Sequence, residues 1–306
     1  MNNPRIIFMG TPAFAVATLD ALVNAGKNIV AVITAPDKPA GRGMKLTMSA
    51  VKTYALEKGI DVLQPPKLKD PEFLAELKAY AADLQVVVAF RMLPEVVWNM
   101  PPLGTINVHA SLLPAYRGAA PINWAIINGE KRTGVTTFRL THEIDTGNIL
   151  LREEVPIRED ETAGELHDVL MTAGARLAVK TVEGLVAGTL IEQPQPQLTD
   201  APHAPKIFTD TCRIEWTKRA RDIYNLIRGL SPFPTAFATL HGKTVKIFRA
   251  EMEITADHPQ PGVVQTDAKT YLRFACADGF IYLTDLQLEG KKRLGIGEFL
   301  RGYRAP

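Results

Sequence analysis

Short runs of apolar residues alternate with longer stretches of helical periodicity through the first half of the chain, and this alternation leaves few folds open. Residues 5–10 (Arg-Ile-Ile-Phe-Met-Gly) and 28–34 (Asn-Ile-Val-Ala-Val-Ile-Thr) are dominated by apolar and β-branched side chains. Between them, the apolar positions of 12–26 recur at the spacing of one helix face. The pattern continues through helix-like segments at 49–59 and 71–82, strand-like runs at 84–90, 104–110 and 133–140, and a helix near 120–128. A strand that is apolar on both faces must be covered on both, which parallel strands joined by crossover helices achieve. The expectation is an α/β domain on a doubly wound, mostly parallel sheet of Rossmann-like type, with 161–188 as a further long helix.

The segment from Glu192 to Pro205 carries four prolines, few apolar residues and no periodicity, so it reads as an extended linker. Beyond it, a helix-like stretch at 218–229 precedes short alternating runs at 235–240, 244–250, 261–266, 271–275 and 279–288, broken by Gly and Asp. Short, regularly spaced strands of this kind predict a small β-barrel. The division expected is therefore a first domain over 1–190, a linker over 191–206 and a second domain over 207–306; a length of 306 residues accommodates two domains.

Composition narrows the class further. With 46% hydrophobic and 22% charged residues, disorder, collagen-like repeats and coiled coils are excluded. No apolar run reaches the roughly 18 residues of a spanning helix, and Met1-Asn2-Asn3-Pro4-Arg5 runs into a strand without a signal or transit pattern. Cys212 and Cys276, without Cys-x-x-Cys spacing, suggest neither a disulfide framework nor a zinc site. A cytoplasmic protein with no membrane partner and no metal is expected. Residues 206–306 hold sixteen Lys and Arg against eleven Asp and Glu, whereas the rest of the chain is slightly acidic. A basic bias of this size suits a solvated surface and a polyanion-binding face equally well.

Three places bear chemistry. The first strand ends in Gly10-Thr11-Pro12, where a dinucleotide-binding turn would carry three glycines; with one, a nicotinamide or flavin cofactor is disfavoured, and Gly10 reads as a turn glycine. In Gly104-Thr-Ile-Asn-Val-His-Ala110, strand alternation puts Thr105, Asn107 and His109 on one face, Asn107 and His109 roughly 7 Å apart. A lone histidine there is more often structural, but an amide two residues away, near the strand end where open α/β sheets bind ligands, moves the balance towards function. Ser111-Leu-Leu-Pro-Ala-Tyr-Arg-Gly118 follows as a loop rich in backbone donors, suited to clasping a flat heteroaromatic ligand. Asp145-Thr-Gly147 then places a carboxylate at a tight turn, where a plain turn role is common. Together, an amide, an imidazole and a carboxylate can hold an oxyanion and move protons.

In Asn107-x-His109, Ser111-Leu-Leu-Pro114 with Tyr116-Arg117-Gly118, and Asp145-Thr-Gly147, the chain resembles the folate-dependent formyltransferases. The resemblance implies 10-formyltetrahydrofolate as formyl donor, with no metal. It implies that Asn107 stabilises the oxyanion, that His109 donates or relays a proton, and that Asp145 orients the imidazole and accepts the proton lost by the attacking amine. Ser111, Leu112, Leu113 and Pro114, with Phe90 and Arg91, are implied to border the folate. Here the sequence departs from many relatives, reading Ala89-Phe90-Arg91-Met92 where they carry a glycine.

Two features resemble the members that act on tRNA: the basic loop from Pro36 to Leu46, with Lys38, Arg42 and Lys45, and a C-terminal domain similar to an OB-like barrel, marked by Ser231-Pro-Phe-Pro234. They imply formylation of the α-amine of methionine on initiator tRNA, for translation initiation, by a monomer. A formyltransferase acting on a small amine such as an amino-sugar nucleotide, and a catalytically silent tRNA-binding protein, are the alternatives.

Overall fold

The computed structural model describes residues 3–40, 45–196 and 200–303. Its first sheet has seven strands in the spatial order Ile149–Pro156, Arg132–Arg139, Thr105–His109, Leu84–Val88, Arg5–Gly10, Asn28–Ile33 and Val62–Leu63. The five from Thr105–His109 to Val62–Leu63 are parallel, and Arg132–Arg139 runs antiparallel to its neighbour Thr105–His109. The mostly parallel, doubly wound sheet expected from the sequence is thus the sheet found. From the central first strand the chain builds outward through Asn28–Ile33 and Val62–Leu63, then returns to the other side at Leu84–Val88. The order reverses between Arg5–Gly10 and Leu84–Val88, and the crevice beyond the carboxyl ends of strands at such a reversal is where ligands bind.

The apolar runs form strands because both faces are covered: all five residues of Leu84–Val88 are buried. On one face Ile7, Met9, Ala31, Ile33 and Val87 pack with Phe73 and Leu77 of the helix Pro71–Ala79. Asp70 caps that helix by accepting the Glu72 N–H at 3.0 Å, and Pro71 occupies its first turn, where no N–H is needed. Gly10 does not act as a turn glycine: it is the last residue of its strand, outside the left-handed region, and a Cβ there would lie 2.5 Å from the Cβ of Ala15. Its function is close packing of strand against helix.

The chain divides by packing into two units, Met1–Gly118 with Thr133–Val155 and His167–Pro202, and Ala119–Arg132 with Pro156–Leu166 and His203–Pro306. The second is built on an antiparallel sheet in the order Ala236–Leu240, Lys243–Ile254, Gly279–Leu288, Leu272–Cys276, Val264–Thr266, with Leu294–Gly295 also paired to Gly279–Leu288. The twelve-residue strand Lys243–Ile254 shifts register around Phe248, an irregularity that bends a strand and lets a sheet curl as an OB-like domain requires. Helix Ala220–Leu230 buries Ala220, Ile223, Ile227 and Leu230, spaced by three and four, in one core with Val245, Ile247, Phe274 and Ile281. Cys212 and Cys276 are both buried and free. Among the described residues no helix is long and apolar enough to cross a membrane.

Candidate active site

The Thr105–His109 strand lies between the parallel Leu84–Val88 and the antiparallel Arg132–Arg139, with Asn107 opposite Val87 and Phe138, and His109 opposite Thr136. His109 is buried, its ring meeting the ring of Phe138 edge-on at 6.5 Å, whereas Asn107 is half-buried. Among the described residues no protein group bonds the Asn107 side chain. An amide so placed at the ligand end of a sheet has its donors available for something the chain does not supply.

His109 Nε2 lies 2.9 Å from the Tyr116 carbonyl. A carbonyl only accepts, so Nε2 carries its hydrogen there, and Nδ1 is the nitrogen turned towards Asp145, 3.8 Å from Oδ2. The same Oδ2 accepts the Gly118 N–H at 3.0 Å. Carboxylate, imidazole and the Tyr116–Gly118 turn are therefore interlocked. Asp145 has φ +56°, left-handed backbone that costs an ordinary residue about 1–2 kcal/mol, though aspartate tolerates it better than most. The turn also needs Gly147, where a Cβ would lie 1.7 Å from the Arg139 carbonyl oxygen. The glycine of Asp145-Thr-Gly147 is thus required by close approach of the neighbouring strand, and it lets the turn fold back over the sheet.

Ser111, Leu112, Leu113 and Pro114 begin where the His109 strand ends. Ser111 Oγ donates to the Ala115 carbonyl at 2.6 Å. The Ser111 carbonyl accepts from Thr136 Oγ1 at 2.7 Å, and that oxygen accepts the Leu113 N–H at 3.2 Å. Leu113 is fully buried with Phe138 and Ile149, and Leu112 packs on Gly134, where a Cβ would lie 2.5 Å from Cδ2. Ser111, Leu113 and Pro114 are buried and Leu112 is half-buried, so these side chains shape the loop from within. Phe90 and Arg91 follow Leu84–Val88, beside the His109 strand. The Arg91 guanidinium lies over the Phe90 ring and donates to the Pro65 and Pro66 carbonyls, and its partial burial holds its pKa below the ordinary value.

Lys38 and Lys45 lie on a separate antiparallel hairpin, Lys38–Ala40 with Lys45–Thr47, where the sequence predicts a loop; Arg42 falls outside the described residues. The hairpin base is held by Asp37, which accepts from Lys52 Nζ at 2.6 Å and Gln64 Nε2 at 2.8 Å, hydrogen bonds that lower its pKa.

Sequence reasoning did not single out Gln195. Its Nε2 donates to the carbonyls of Asp145 and Gly147, both at 2.8 Å, and its Oε1 accepts from Arg117 Nε at 3.1 Å and Nη2 at 2.5 Å. No local signal marks a glutamine fifty residues from its partner in a proline-rich segment. No group of three His, Cys, Asp or Glu residues that could hold a metal ion occurs among the described residues.

Residues 4–182 match the family model described as formyl transferase, and residues 206–304 match formyl transferase, C-terminal domain. The chain belongs to the formyl transferase family. Among the similar curated proteins, methionyl-tRNA formyltransferase of Parabacteroides distasonis is 55% identical to this formyltransferase over 311 residues, covering 98% of this chain and 96% of that one. Methionyl-tRNA formyltransferase of Bacteroides fragilis is 52% identical over 307 residues, covering 98% and 95%. Among solved structures, HypX from Aquifex aeolicus in complex with tetrahydrofolic acid shares the fold at a TM-score of 0.67 and 20% identity, over 98% of this formyltransferase and 48% of that chain. WlaRD, a sugar 3N-formyl transferase, does so at 0.69 and 20% identity, over 95% and 100%.

Proposed function

We propose that this formyltransferase moves the formyl group of 10-formyltetrahydrofolate to the α-amino group of methionine on initiator tRNA. The observation that carries the reading is likeness along the whole chain, both domains included, to relatives named methionyl-tRNA formyltransferase at 52–55% identity. The unpartnered Asn107 amide beside the His109–Asp145 pair fits the chemistry. When an amine adds to a formyl carbon, negative charge gathers on the formyl oxygen and the nitrogen must lose a proton. Asn107 donates its amide N–H to that oxygen. Asp145 takes the proton, directly or through His109 Nδ1, while the Tyr116 carbonyl holds the ring in place. When the oxyanion collapses, the bond from the formyl carbon to N10 of the folate breaks and the proton taken from the amine passes to N10, so that tetrahydrofolate leaves and no covalent bond to the protein is needed.

Phe90, Arg91 and the Ser111–Pro114 loop border the folate in this reading. Lys38, Arg42 and Lys45 contact the tRNA backbone, together with the basic C-terminal domain. Catalysis belongs to 1–190, joined through 191–206 to a tRNA-binding domain over 207–306, in a cytoplasmic monomer.

Purified protein with 10-formyltetrahydrofolate, offered methionyl initiator tRNA and, separately, an amino-sugar nucleotide, tests the proposal. Formylmethionyl-tRNA as the product is the expected result. Formylation of the sugar alone would move the acceptor class, and donor binding without transfer to either would overturn the proposed reaction.

A further inference from the structure

The segment read as a linker carries a residue wired into the site. Between Glu192 and Pro196 it follows the edge of the seven-stranded sheet: Gln193 exchanges backbone hydrogen bonds with Ile149 at 2.8 and 2.9 Å, and the Glu192 carboxylate takes Arg139 Nε at 2.9 Å and Asn148 Nδ2 at 3.2 Å. Further along, the Pro202 carbonyl accepts the Tyr116 N–H at 2.5 Å. Gln195 sits between Pro194 and Pro196. Proline fixes its own φ and keeps the residue before it extended, so both Gln193 and Gln195 are stiffened by their successors. An extended backbone, paired at Gln193, thus presents the Gln195 side chain in one direction.

Its amide uses all its main valences on the site. Two N–H groups satisfy the carbonyls of Asp145 and Gly147, flanking the turn whose first residue is left-handed, and the oxygen takes the Arg117 fork one residue after the Tyr116 carbonyl that holds His109. We infer that Gln195 is a positioning residue for formyl transfer: it locks the Asp145 turn to the Tyr116–Gly118 turn, so that the carboxylate stays on Gly118 N and against His109. The inference rests on the proposed role of Asp145. Without these donors both carbonyls turn to water and the Asp145 backbone is no longer over-determined.

Gln195→Glu separates this role from simple anchoring of the segment. A carboxylate keeps, and strengthens, the acceptor for Arg117 but cannot donate to the two carbonyls. In the full chain, Gln195→Glu is expected to keep the melting temperature while kcat falls about 10- to 100-fold with both KM values within about threefold, as misplacement of a reacting group does. Gln195→Met, which fills the space without either bond, is expected to lose a similar factor should the glutamate fold poorly. In an Asp145→Asn background neither change should lower the residual rate further, because Gln195 acts through Asp145. Wild-type kcat in both single variants, or an undiminished loss in the Asp145→Asn background, overturns the inference. A fully active Asp145→Asn enzyme would instead overturn the role given to Asp145.

Discussion

The two sheets of this formyltransferase treat their polar groups in opposite ways. On the parallel sheet, Asn107 stands half-buried without a protein partner, next to a histidine and a carboxylate held 3.8 Å apart. In the second unit Arg249, Arg273 and Arg293, on or beside the antiparallel sheet, are already paired, Arg249 with Glu165. Arg273 lies 3.7 Å over the Phe280 ring and bonds Glu253 and Gln265, while Arg293 covers the Phe248 ring and pairs with Asp285. The exposed Lys243, Lys246, Lys291 and Lys292 have no ion-pair partner among the described residues, and they lie in sequence near the end of the antiparallel strand pair at which Val245 faces Leu288. Both sheets leave groups uncommitted, but in different forms. In the first sheet they are two or three atoms near a strand end; in the second they are exposed surface charges. Precise placement suits bond-making, and diffuse positive charge suits a phosphate backbone.

That contrast can be broken experimentally. The largest effect is expected at Gly147: an alanine methyl would collide with the Arg139 carbonyl, so Gly147→Ala should displace Asp145 and reduce kcat to near the detection limit. Retention of more than a tenth of the activity would show that the turn tolerates another path. Asn107→Ala and His109→Ala should each lower kcat by about 10²-fold or more, with circular dichroism and melting unchanged. Near-normal turnover in either removes that residue from the mechanism.

Smaller and of another kind is the expected effect of Lys291→Glu with Lys292→Glu: KM for the tRNA rises about tenfold at low salt and kcat holds, while the salt slope of binding falls by about one per lysine that contacts phosphate. If kcat fell and KM did not, the contrast between the sheets would fail.

The smallest concerns Asp267, whose carboxylate caps a turn through Thr270 Oγ1 and the N–H groups of Lys269, Thr270 and Tyr271, which together drive its pKa far below the ordinary 3.8. A depressed carboxylate stabilises the fold above its unfolded value, and that contribution disappears as pH falls through the folded one. Asp267→Asn should therefore lower the denaturation midpoint at neutral pH and converge with the parent in strong acid. Parallel curves at all pH values would contradict this assignment.

Much of the parallel sheet was legible because burial on both faces writes itself into consecutive apolar residues. The Ile149–Pro156 strand was not: Arg152, Glu153 and Glu154 interrupt its apolar run, as an exposed strand at a sheet edge allows. Asn107 and His109 could be paired from the two-residue strand period alone. The reach of Asp145 to His109 could not, since it depends on a turn that folds back over the sheet through Gly147. The leucines of Ser111-Leu-Leu-Pro114 carry no mark of which way they point; packing against Phe138 and Gly134 turned them inward.

By itself the sequence determined most of the alternation of strands and helices in the first domain, the face shared by Asn107 and His109, and the basic bias of the last third, because each follows from local periodicity or from counting charge. Only the tertiary structure decided which charges are already paired, that Gly10 is needed for packing, and that a glutamine between two prolines grips the Asp145 turn. Those depend on groups far apart in the chain meeting at hydrogen-bond distance, and no local pattern encodes such a meeting.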